Sequence, residues 1–251
     1  MAVAGMAFST PGLWGRRVLS WLGVRELRLH PARLDGAALA IDPGDHGHLC
    51  VVEEFFMAPL AYDLSLVPFE PSAIVDCGAH IGAFTLLARR RFPRAQLTAF
   101  EPNPANLDRL RRNLALNGIE GVEVMAAAVS TAAGRSAFHF TPMHSEGGRL
   151  GDAREASGPV TQTTVDVADL PAFVAHLGAV PLLIKLDVEG AEEQLIPALL
   201  PVLPRRCAIF LETHRGDAAW DGARGALEAG GFVVRLLRGR DVFRDGFAVR
   251  Q

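Results

Sequence analysis

The sequence predicts an α/β fold built on a mostly parallel β-sheet. Short apolar runs of strand length alternate with segments of helical periodicity, and this alternation is typical of βαβ units. Residues 73–88 read as a strand, a glycine-bearing turn and a helix, which together make the first half of such a unit. Two further strand-like runs, 232–237 and 242–249, are joined by a short polar turn and predict an antiparallel hairpin at the end of the chain.

The predicted elements follow one another in a regular order. Asn103 is expected to cap the helix after the second strand, and Asn117-Gly118 to end it. Further helices are predicted within 166–177, after Glu189, and over 219–229. The predicted core strands are 73–77, 96–101, 122–129, 181–187 and 207–212.

The two less regular regions lie before the first core strand and after the third. Residues 13–34 predict a helix packed over the main domain, with a membrane-surface or dimer helix, and hence a homodimer, as the alternative. A short strand at 49–52 and a helix starting at 53–56 are expected to follow. We therefore divide the chain into an N-terminal extension, 1–52, and a main domain, 53–251. Within that domain, about 135–165 is predicted to be a lid-like insertion, with strands at 136–140 and 160–165 and a mobile tip.

Composition limits the classes of partner. A chain of 251 residues with 49% hydrophobic and 21% charged residues is an ordinary globular protein, and its formal charge of −3 provides no bulk attraction to nucleic acid or anionic membranes. Cys50, Cys77 and Cys207 are scattered without metal-site spacing, and the last two lie in apolar runs, so buried thiols are expected. No run of 18 apolar residues occurs, so we expect no transmembrane span and a cytoplasmic location.

The glycine turn indicates which ligand the first βαβ unit binds. A dinucleotide loop reads G-x-G-x-x-G, whereas this turn reads Asp76-x-Gly78-x-His80-x-Gly82. An acid would repel a phosphate but suits a ligand that carries a cation. Glu101, at the end of the second strand, is placed to accept hydrogen bonds from two ribose hydroxyls. These features favour S-adenosylmethionine over a nicotinamide dinucleotide, and the missing G-x-x-x-x-G-K-[ST] motif excludes a phosphate-loop NTPase.

Four further sequence blocks stand in a fixed order along the chain: VDCGAHIG (75–82), FEPNP (100–104), AVS (128–130) and KLDVEGAE (185–192). Together they resemble the FkbM-type methyltransferase family, over roughly residues 54–214 and in the family's order. The resemblance implies a class I methyltransferase fold, a Rossmann-like seven-stranded sheet with helices on both faces, and S-adenosylmethionine as cofactor. It also implies O-methylation of hydroxyls on natural products or saccharides. His80 departs from the family, which commonly has asparagine there.

Several residues are candidates for binding the cofactor. The turn is expected to wrap the methionine end, Glu101 to bind the ribose, and the end of the third strand to form the adenine wall. The alternative role of Asp76 is to cap its own turn, and that of Ala127 is to form part of the core. For Glu54 and Tyr62 the alternative role is packing. The full set is Glu54, Tyr62, Asp76, Gly78, Ala79, His80, Gly82, Thr85, Glu101, Pro102, Asn103, Ala127, Ala128, Asp187 and Glu189.

The candidate catalytic residues are His214, Asp187 and Glu212, at the carboxyl ends of the fourth and fifth strands. Ligands bind at that edge of an open α/β sheet. His214 is the candidate base because an unperturbed histidine titrates near neutrality, with a capping or surface role as its alternative. A divalent metal ion held by the same three residues is the further option. Glu192 and Glu193 are expected to form a solvated helix start.

Two other functions stay open at this point. An N- or C-methyltransferase acting on a macromolecule is the first, although Asp187-Val188-Glu189-Gly190 stands where nucleic-acid N-methylating enzymes often carry Asn/Asp-Pro-Pro-aromatic. A non-catalytic cofactor-binding partner subunit is the second. The intact acids at both strand ends argue against a non-catalytic chain, and the resemblance implies that the substrate is a hydroxyl-bearing small molecule.

Overall fold

A computed structural model describes residues 26–30, 36–56, 62–141, 144–151, 160–240 and 243–250. Of the predicted helix over 13–34, only residues 26–30 are described, and there the prediction is wrong, because Leu27–Leu29 form a strand that pairs with residues 39–41. The rest of that predicted helix and most of the tip of the insertion lie outside the described residues. Among the described helices, none is long and apolar enough to cross a membrane.

The described strands form three sheets. The largest has seven strands in the order β12-β13-β11-β10-β3-β4-β5, with the first two neighbours antiparallel and the others parallel. This arrangement confirms the predicted fold class. Its strands are β3 (Ala73–Cys77), β4 (Gln96–Phe100), β5 (Val122–Met125), β10 (Leu182–Leu186), β11 (Cys207–Thr213), β12 (Val233–Arg240) and β13 (Phe243–Arg250).

Smaller sheets flank the large one. A two-stranded sheet comprises β1 (Leu27–Leu29) and β2 (Leu39–Ile41). A four-stranded sheet has the order β6-β9-β7-β8, made of β6 (Ala127–Ser130), β7 (Gly134–Thr141), β8 (His144–Leu150) and β9 (Thr161–Asp169). The helices are α1 (His46–Phe56), α2 (Ala83–Arg91), α3 (Pro104–Leu116), α4 (Leu170–Leu177), α5 (Glu192–Leu199) and α6 (Gly216–Ala229), with one 3₁₀ turn at Leu64–Leu66.

Helices cover both faces of the large sheet. Side chains of α2 and α3, such as Phe84 and Leu110, belong to one buried apolar cluster. Side chains of α4, α5 and α6, such as Val174, Leu195 and Leu227, belong to a second cluster on the opposite face. Since both faces are buried, the parallel strands are apolar along their whole length rather than alternating, which is why their runs stand out in the sequence.

The helix after β4 is capped as predicted. The Asn103 side chain accepts a hydrogen bond from the backbone N–H of Ala105, and Pro104 occupies the first helical turn. Two asparagines further along the same helix hold β2 in place. Asn113 and Asn117 exchange hydrogen bonds with the backbones of Ala40 and Ala38 respectively, so their amides replace a neighbouring strand.

The predicted strand at 49–52 is wrong. These residues lie inside α1, where the Cys50 thiol and the His46 ring are 3.3 Å apart, one helical turn from each other. Asp45 accepts a hydrogen bond from the N–H of Gly47 and so satisfies a donor at the helix start. A short apolar run fits a strand and a buried helix equally well, and only the capping contact decides between them.

The predicted third strand, 122–129, is two strands. It breaks at Ala126, where the chain leaves the seven-stranded sheet and pairs with β9 as β6. Glu101 donates its N–H to the carbonyl of Met125 at the end of β5, which closes the ladder with β4. The two strands predicted within the insertion belong to β7 and β9, and β8 is a third strand between them in sequence.

Candidate active site

The glycine turn after β3 lies in direct contact with the end of β10. Gly78 has a φ of 78°, and a Cβ at this position would lie 1.9 Å from the carbonyl oxygen of Asp187. The N–H groups of Gly78 and Ala79 both donate to the carbonyl of Phe100. Glycine is therefore required at residue 78 by the neighbouring backbone, before any ligand is considered.

Gly82 has a different task. It caps α2 with a φ of 88°, and a Cβ there would lie 3.2 Å from Leu110. Gly78 and Gly82 thus allow the glycine turn to pack closely against β10 and α3 respectively. Only Gly78 lines the cavity described below.

Lys185 joins the turn to the acidic strand ends. It lies opposite Asp76 in the register of β10 and β3, and its Nζ is 3.7 Å from Asp76 Oδ1. The same ammonium donates to the carbonyl of Gly78 at 2.7 Å and lies 3.0 Å from Asp187 Oδ2. Asp76 is fully buried and accepts a hydrogen bond from the Thr85 hydroxyl. Burial raises the pKa of Asp76, although Lys185 and Thr85 act in the opposite direction.

Glu101 holds the backbone around the cavity together. One carboxylate oxygen accepts from the N–H of His80 at 2.8 Å and the other from the N–H of Asn103 at 2.8 Å. The side chain is almost completely buried, and burial raises its pKa to about 7. The two hydrogen bonds stabilise the ionised carboxylate and so act in the opposite direction. The predicted ribose acceptor therefore also links the turn to the start of α3.

His80 takes the left-handed backbone conformation, with a φ of 51°. Asparagine and histidine both adopt this region more readily than most residues, which explains how histidine replaces the asparagine common in the family. Its Nε2 lies 2.9 Å from the Ser145 hydroxyl of β8, and the Asn106 amide donates to the Ser145 carbonyl. Burial lowers the pKa of His80 to about 3, so the ring is neutral.

Four carboxylates surround His214 just after β11. Its Nδ1 is 3.1 Å from Glu192, while its Nε2 is 3.4 Å from Asp187, 3.5 Å from Glu189 and 3.6 Å from Glu212. Burial alone would lower the pKa of His214, but the carboxylates raise it to about 10. Burial raises the pKa of Glu189 to about 7, whereas Lys185 holds that of Asp187 below its usual value despite burial.

A cavity of about 940 Å³ opens beside these groups, between the carboxyl edge of the large sheet, α1 and the inserted sheet. Its walls include the aromatic ring of Tyr62, which lies 5.4 Å from Phe84 and 5.7 Å from Lys185 Nζ. The predicted site residues that line it are Tyr62, Gly78, Ala79, His80, Glu101, Pro102, Ala127, Ala128, Asp187, Glu189 and Glu212.

Five predicted site residues lie behind the cavity wall rather than on it. Thr85, for example, donates to Asp76, which in turn lies 3.7 Å from the lining residue Lys185. The five residues are Asp76, Gly82, Thr85, Asn103 and His214. Glu54 belongs to α1, and its side chain lies outside the described part of the structure.

The expectation that Glu192 is solvated is wrong. Its side chain is 2% exposed, and it accepts a hydrogen bond from the N–H of Val188 at 3.0 Å as well as contacting His214.

Lys185, Asn106 and Ser145 are further site residues that the sequence interpretation missed. A sequence signal exists only for Lys185, because a lone lysine within the apolar run PLLIKL is unusual and the chain contains no other lysine.

The sheet order and the position of the site define the class of protein. The sheet consists of parallel strands followed by an antiparallel C-terminal pair. The glycine turn after β3 and Glu101 after β4 face one cavity. The cavity lies outside the carboxyl ends of the strands, where α/β sheets bind nucleotide-like ligands. This is a class I S-adenosylmethionine-dependent methyltransferase.

Comparison with known proteins shows the family. The model described as "Methyltransferase FkbM domain" matches residues 76–240. Methyltransferase 1 of Beauveria bassiana (strain ARSEF 2860) is 30% identical over 197 residues, which cover 70% of this chain and 78% of that protein. The 31-O-demethyl-FK506 methyltransferase FkbM of Streptomyces tacrolimicus is 30% identical over 202 residues, with 69% and 74% covered. The chain belongs to the FkbM methyltransferase family.

A solved structure shows the same fold. Protein PH0793 of Pyrococcus horikoshii superimposes with a TM-score of 0.51 over 94% of this chain and 83% of its own, at 12% sequence identity. At this identity the similarity speaks for the fold alone. The predictions of family, fold class and S-adenosylmethionine as cofactor are confirmed by these comparisons, whereas the individual site residues remain predictions.

Proposed function

We propose that this methyltransferase transfers a methyl group from S-adenosylmethionine to a hydroxyl oxygen of a small molecule, a natural product or a sugar. The observation that carries the proposal is the convergence of Asp187, Glu189 and Glu212 on one cavity wall next to the glycine turn. A neutral hydroxyl becomes a good nucleophile when a base removes its proton during the attack, and carboxylates at this edge supply that base.

The cofactor is assigned to the wall that contains the turn. Residues 78–80 would contact its methionine end and Glu101 its ribose. Glu101 Oε2 accepts one backbone hydrogen bond and retains a lone pair for a ribose hydroxyl. Oε1 already accepts from the N–H of Asn103 and, at 3.5 Å, from the Asn106 amide, so a second ribose hydroxyl would replace the longer of these two bonds. Ala127 and Ala128 would pack against the adenine. Lys185 neutralises part of the charge of Asp187, so the turn is not left beside an isolated acid.

Methyl transfer is an in-line displacement at the methyl carbon. The acceptor oxygen forms a bond to that carbon while the carbon–sulfur bond breaks, and the electron pair remains on sulfur in S-adenosylhomocysteine. The hydroxyl proton passes to a carboxylate, for which Glu189 is the candidate, since its side chain lines the cavity and is 17% exposed. Alignment of the three atoms and exclusion of water supply much of the rate enhancement.

This assignment changes the predicted role of His214. The ring carries a proton near neutral pH, because the surrounding carboxylates raise its pKa to about 10, and a protonated imidazole cannot accept another proton. It also lies behind the wall of the cavity rather than on it. We therefore assign the removal of the proton to a carboxylate and assign His214 to holding the carboxylates in place.

Two findings support oxygen as the methyl acceptor. The relative from Streptomyces tacrolimicus is named as a 31-O-demethyl-FK506 methyltransferase, so its methyl group goes to an oxygen. In addition, a wall with three carboxylates suits a substrate that must lose a proton. A cytoplasmic location is part of the proposal, and it is supported by the buried Cys77 and Cys207, which are free thiols.

The direct test has two parts. Calorimetric titration with S-adenosylhomocysteine should show binding of one molecule per chain to the full-length protein. Transfer of a labelled methyl group should then occur to members of a panel of hydroxyl-bearing natural products and sugars but not to matched amines. Transfer to amines alone would refute the O-methylation proposal, and a folded protein that does not bind S-adenosylhomocysteine would refute the cofactor assignment.

A further inference from the structure

The environment of His214 has the dimensions of a metal-binding site. Its Nε2 lies 3.4 to 3.6 Å from one oxygen each of Asp187, Glu189 and Glu212. Good charge-assisted hydrogen bonds are shorter, about 2.7–2.9 Å. By contrast, ligand atoms about 2.1 Å from a tetrahedral ion lie about 3.4 Å from one another. The distances from His214 Nε2 to these oxygens therefore match the separation of two ligands around an ion better than direct hydrogen bonds.

From this geometry we propose that Asp187, Glu212 and His214 bind a divalent first-row metal ion, Mn²⁺ or Zn²⁺. One ligand atom from each of the three residues lies within 4.8 Å of the others. Three protein ligands with a further position open to substrate are the usual arrangement of a catalytic metal site. A mixed set of one imidazole and two carboxylates suits Mn²⁺ and Zn²⁺ better than Ca²⁺.

The contacts behind the ligands provide a second observation. Glu192 is 2% exposed, is held by the N–H of Val188, and lies 3.1 Å from His214 Nδ1. A carboxylate that accepts the Nδ1 proton leaves Nε2 directed at the other three acids, and metal-bound histidines are commonly oriented in this way. Similarly, Lys185 lies 3.0 Å from Oδ2 of Asp187, which leaves Oδ1 directed at His214.

Charge also favours a cation at this place. Asp187, Glu189, Glu192 and Glu212 each have an oxygen within 3.6 Å of a His214 ring nitrogen. Close carboxylates with little access to water repel one another strongly. A divalent ion among three of them, with His214 neutral, would offset this repulsion more fully than a single proton does.

The role of the ion rests on the proposed function, whereas its binding does not. Asp187 and Glu212 line the cavity, so the open position would face the acceptor. An acceptor oxygen bound there would lose its proton more easily, with Glu189 receiving the proton, and would then attack the methyl carbon.

The experiment measures metal binding directly. Full-length protein is stripped with chelator and titrated with Mn²⁺, and the loss of the aqueous Mn²⁺ signal in electron paramagnetic resonance reports binding. One ion per chain is expected, with competition by Zn²⁺. Glu212→Gln and His214→Asn should abolish binding, whereas Glu193→Gln, which removes an exposed carboxylate from the same region, should leave it unchanged.

Glu192→Gln tests the orienting contact, and a 10–100-fold loss of Mn²⁺ affinity is expected. Thermal melting and S-adenosylhomocysteine binding show whether each variant is folded. In the unsubstituted protein, bound Mn²⁺ should also broaden the imidazole NMR resonances of His214, which keeps the proposal testable if the variants unfold.

Two results would overturn the proposal. One is the absence of stoichiometric binding of Mn²⁺ or Zn²⁺ at millimolar concentration, and the other is unchanged binding in folded Glu212→Gln and His214→Asn. If the stripped protein still binds S-adenosylhomocysteine and methylates a hydroxyl, the catalytic role of the ion fails while the proposed function stands. If Mn²⁺ binds but no acceptor in the panel is methylated with or without it, the proposed function fails and the metal site stands.

Discussion

The buried carboxylate of Glu101 predicts that cofactor affinity depends on pH. Two backbone N–H groups donate to this carboxylate, yet burial raises its pKa to about 7. The two ribose hydroxyls of the cofactor would donate further hydrogen bonds to the ionised form. Since the bound cofactor then prefers the ionised carboxylate, binding should release a proton whenever Glu101 is protonated beforehand.

The size of the effect follows from the pKa. With a pKa of about 7 in the free protein, Glu101 is roughly nine-tenths ionised at pH 8 and one-tenth ionised at pH 6. If only the ionised form binds well, affinity for S-adenosylhomocysteine should fall about tenfold from pH 8 to pH 6. The direction is set by the raised pKa, because a carboxyl with an ordinary pKa would stay ionised throughout this range.

Calorimetry between pH 6 and pH 8 measures this dependence, and repeating it in buffers of different ionisation enthalpy counts the protons released. Glu101→Gln should weaken binding at pH 8 by about 1–3 kcal/mol through the lost charged hydrogen bonds and should remove the pH dependence. Glu120→Gln, which changes an exposed glutamate, should keep both affinity and pH dependence. A Glu101→Gln variant with unchanged affinity and an unchanged pH profile would refute the ribose assignment.

Three further predictions concern stability, measured by urea unfolding. Gly78→Ala should destabilise the protein by about 3 kcal/mol, because the new Cβ would meet the Asp187 carbonyl in a left-handed backbone conformation. Lys185→Met should cost about 3–5 kcal/mol, since it leaves the buried Asp76 without its cation, and adding Asp76→Asn should recover part of the loss. Asn113→Ala should cost about 2 kcal/mol, because its amide bonds the backbones of Ala40 and Ile81.

Matched controls separate these causes. Gly118 also has a positive φ, but a Cβ there would meet no atom within 4 Å, so Gly118→Ala should cost only about 1 kcal/mol of backbone strain. An equal loss for Gly78→Ala and Gly118→Ala would contradict the close approach to β10. If Lys185→Met were as stable as the unsubstituted protein, Lys185 would not neutralise Asp76. An unchanged unfolding midpoint in Asn113→Ala would show that β2 is held by other contacts.

Local sequence signals sufficed for elements with unambiguous patterns. The strands buried on both faces are continuous apolar runs of strand length, so β3, β4, β10 and β11 were predictable from the sequence. Gly78 and Asn103 were also identifiable, since a glycine in a turn and a capping asparagine act through their own backbone neighbours. By contrast, residues 49–52 of α1 are predicted as a strand, because four consecutive apolar residues do not distinguish the two periodicities, whereas the helix predicted at 53–56 does lie in α1.

The division of the third strand was equally hidden from the sequence. Residues 122–129 have one uninterrupted pattern, yet the chain changes sheets at Ala126 because β9, almost forty residues later, supplies the partner of β6. Pairing between distant strands is decided by register, and a single run of apolar residues contains no information about its partner.

The sequence by itself determined the fold class, the family and the place of the glycine turn, because these depend on ordered local patterns. Tertiary structure decided the electrostatics of the site. Only packing brings Lys185 beside Asp76 and Asp187, buries Glu192 against His214 and raises the pKa of Glu101 to about 7. The reason is physical: burial and neighbouring charges shift a pKa, and both are set by residues far apart in the chain.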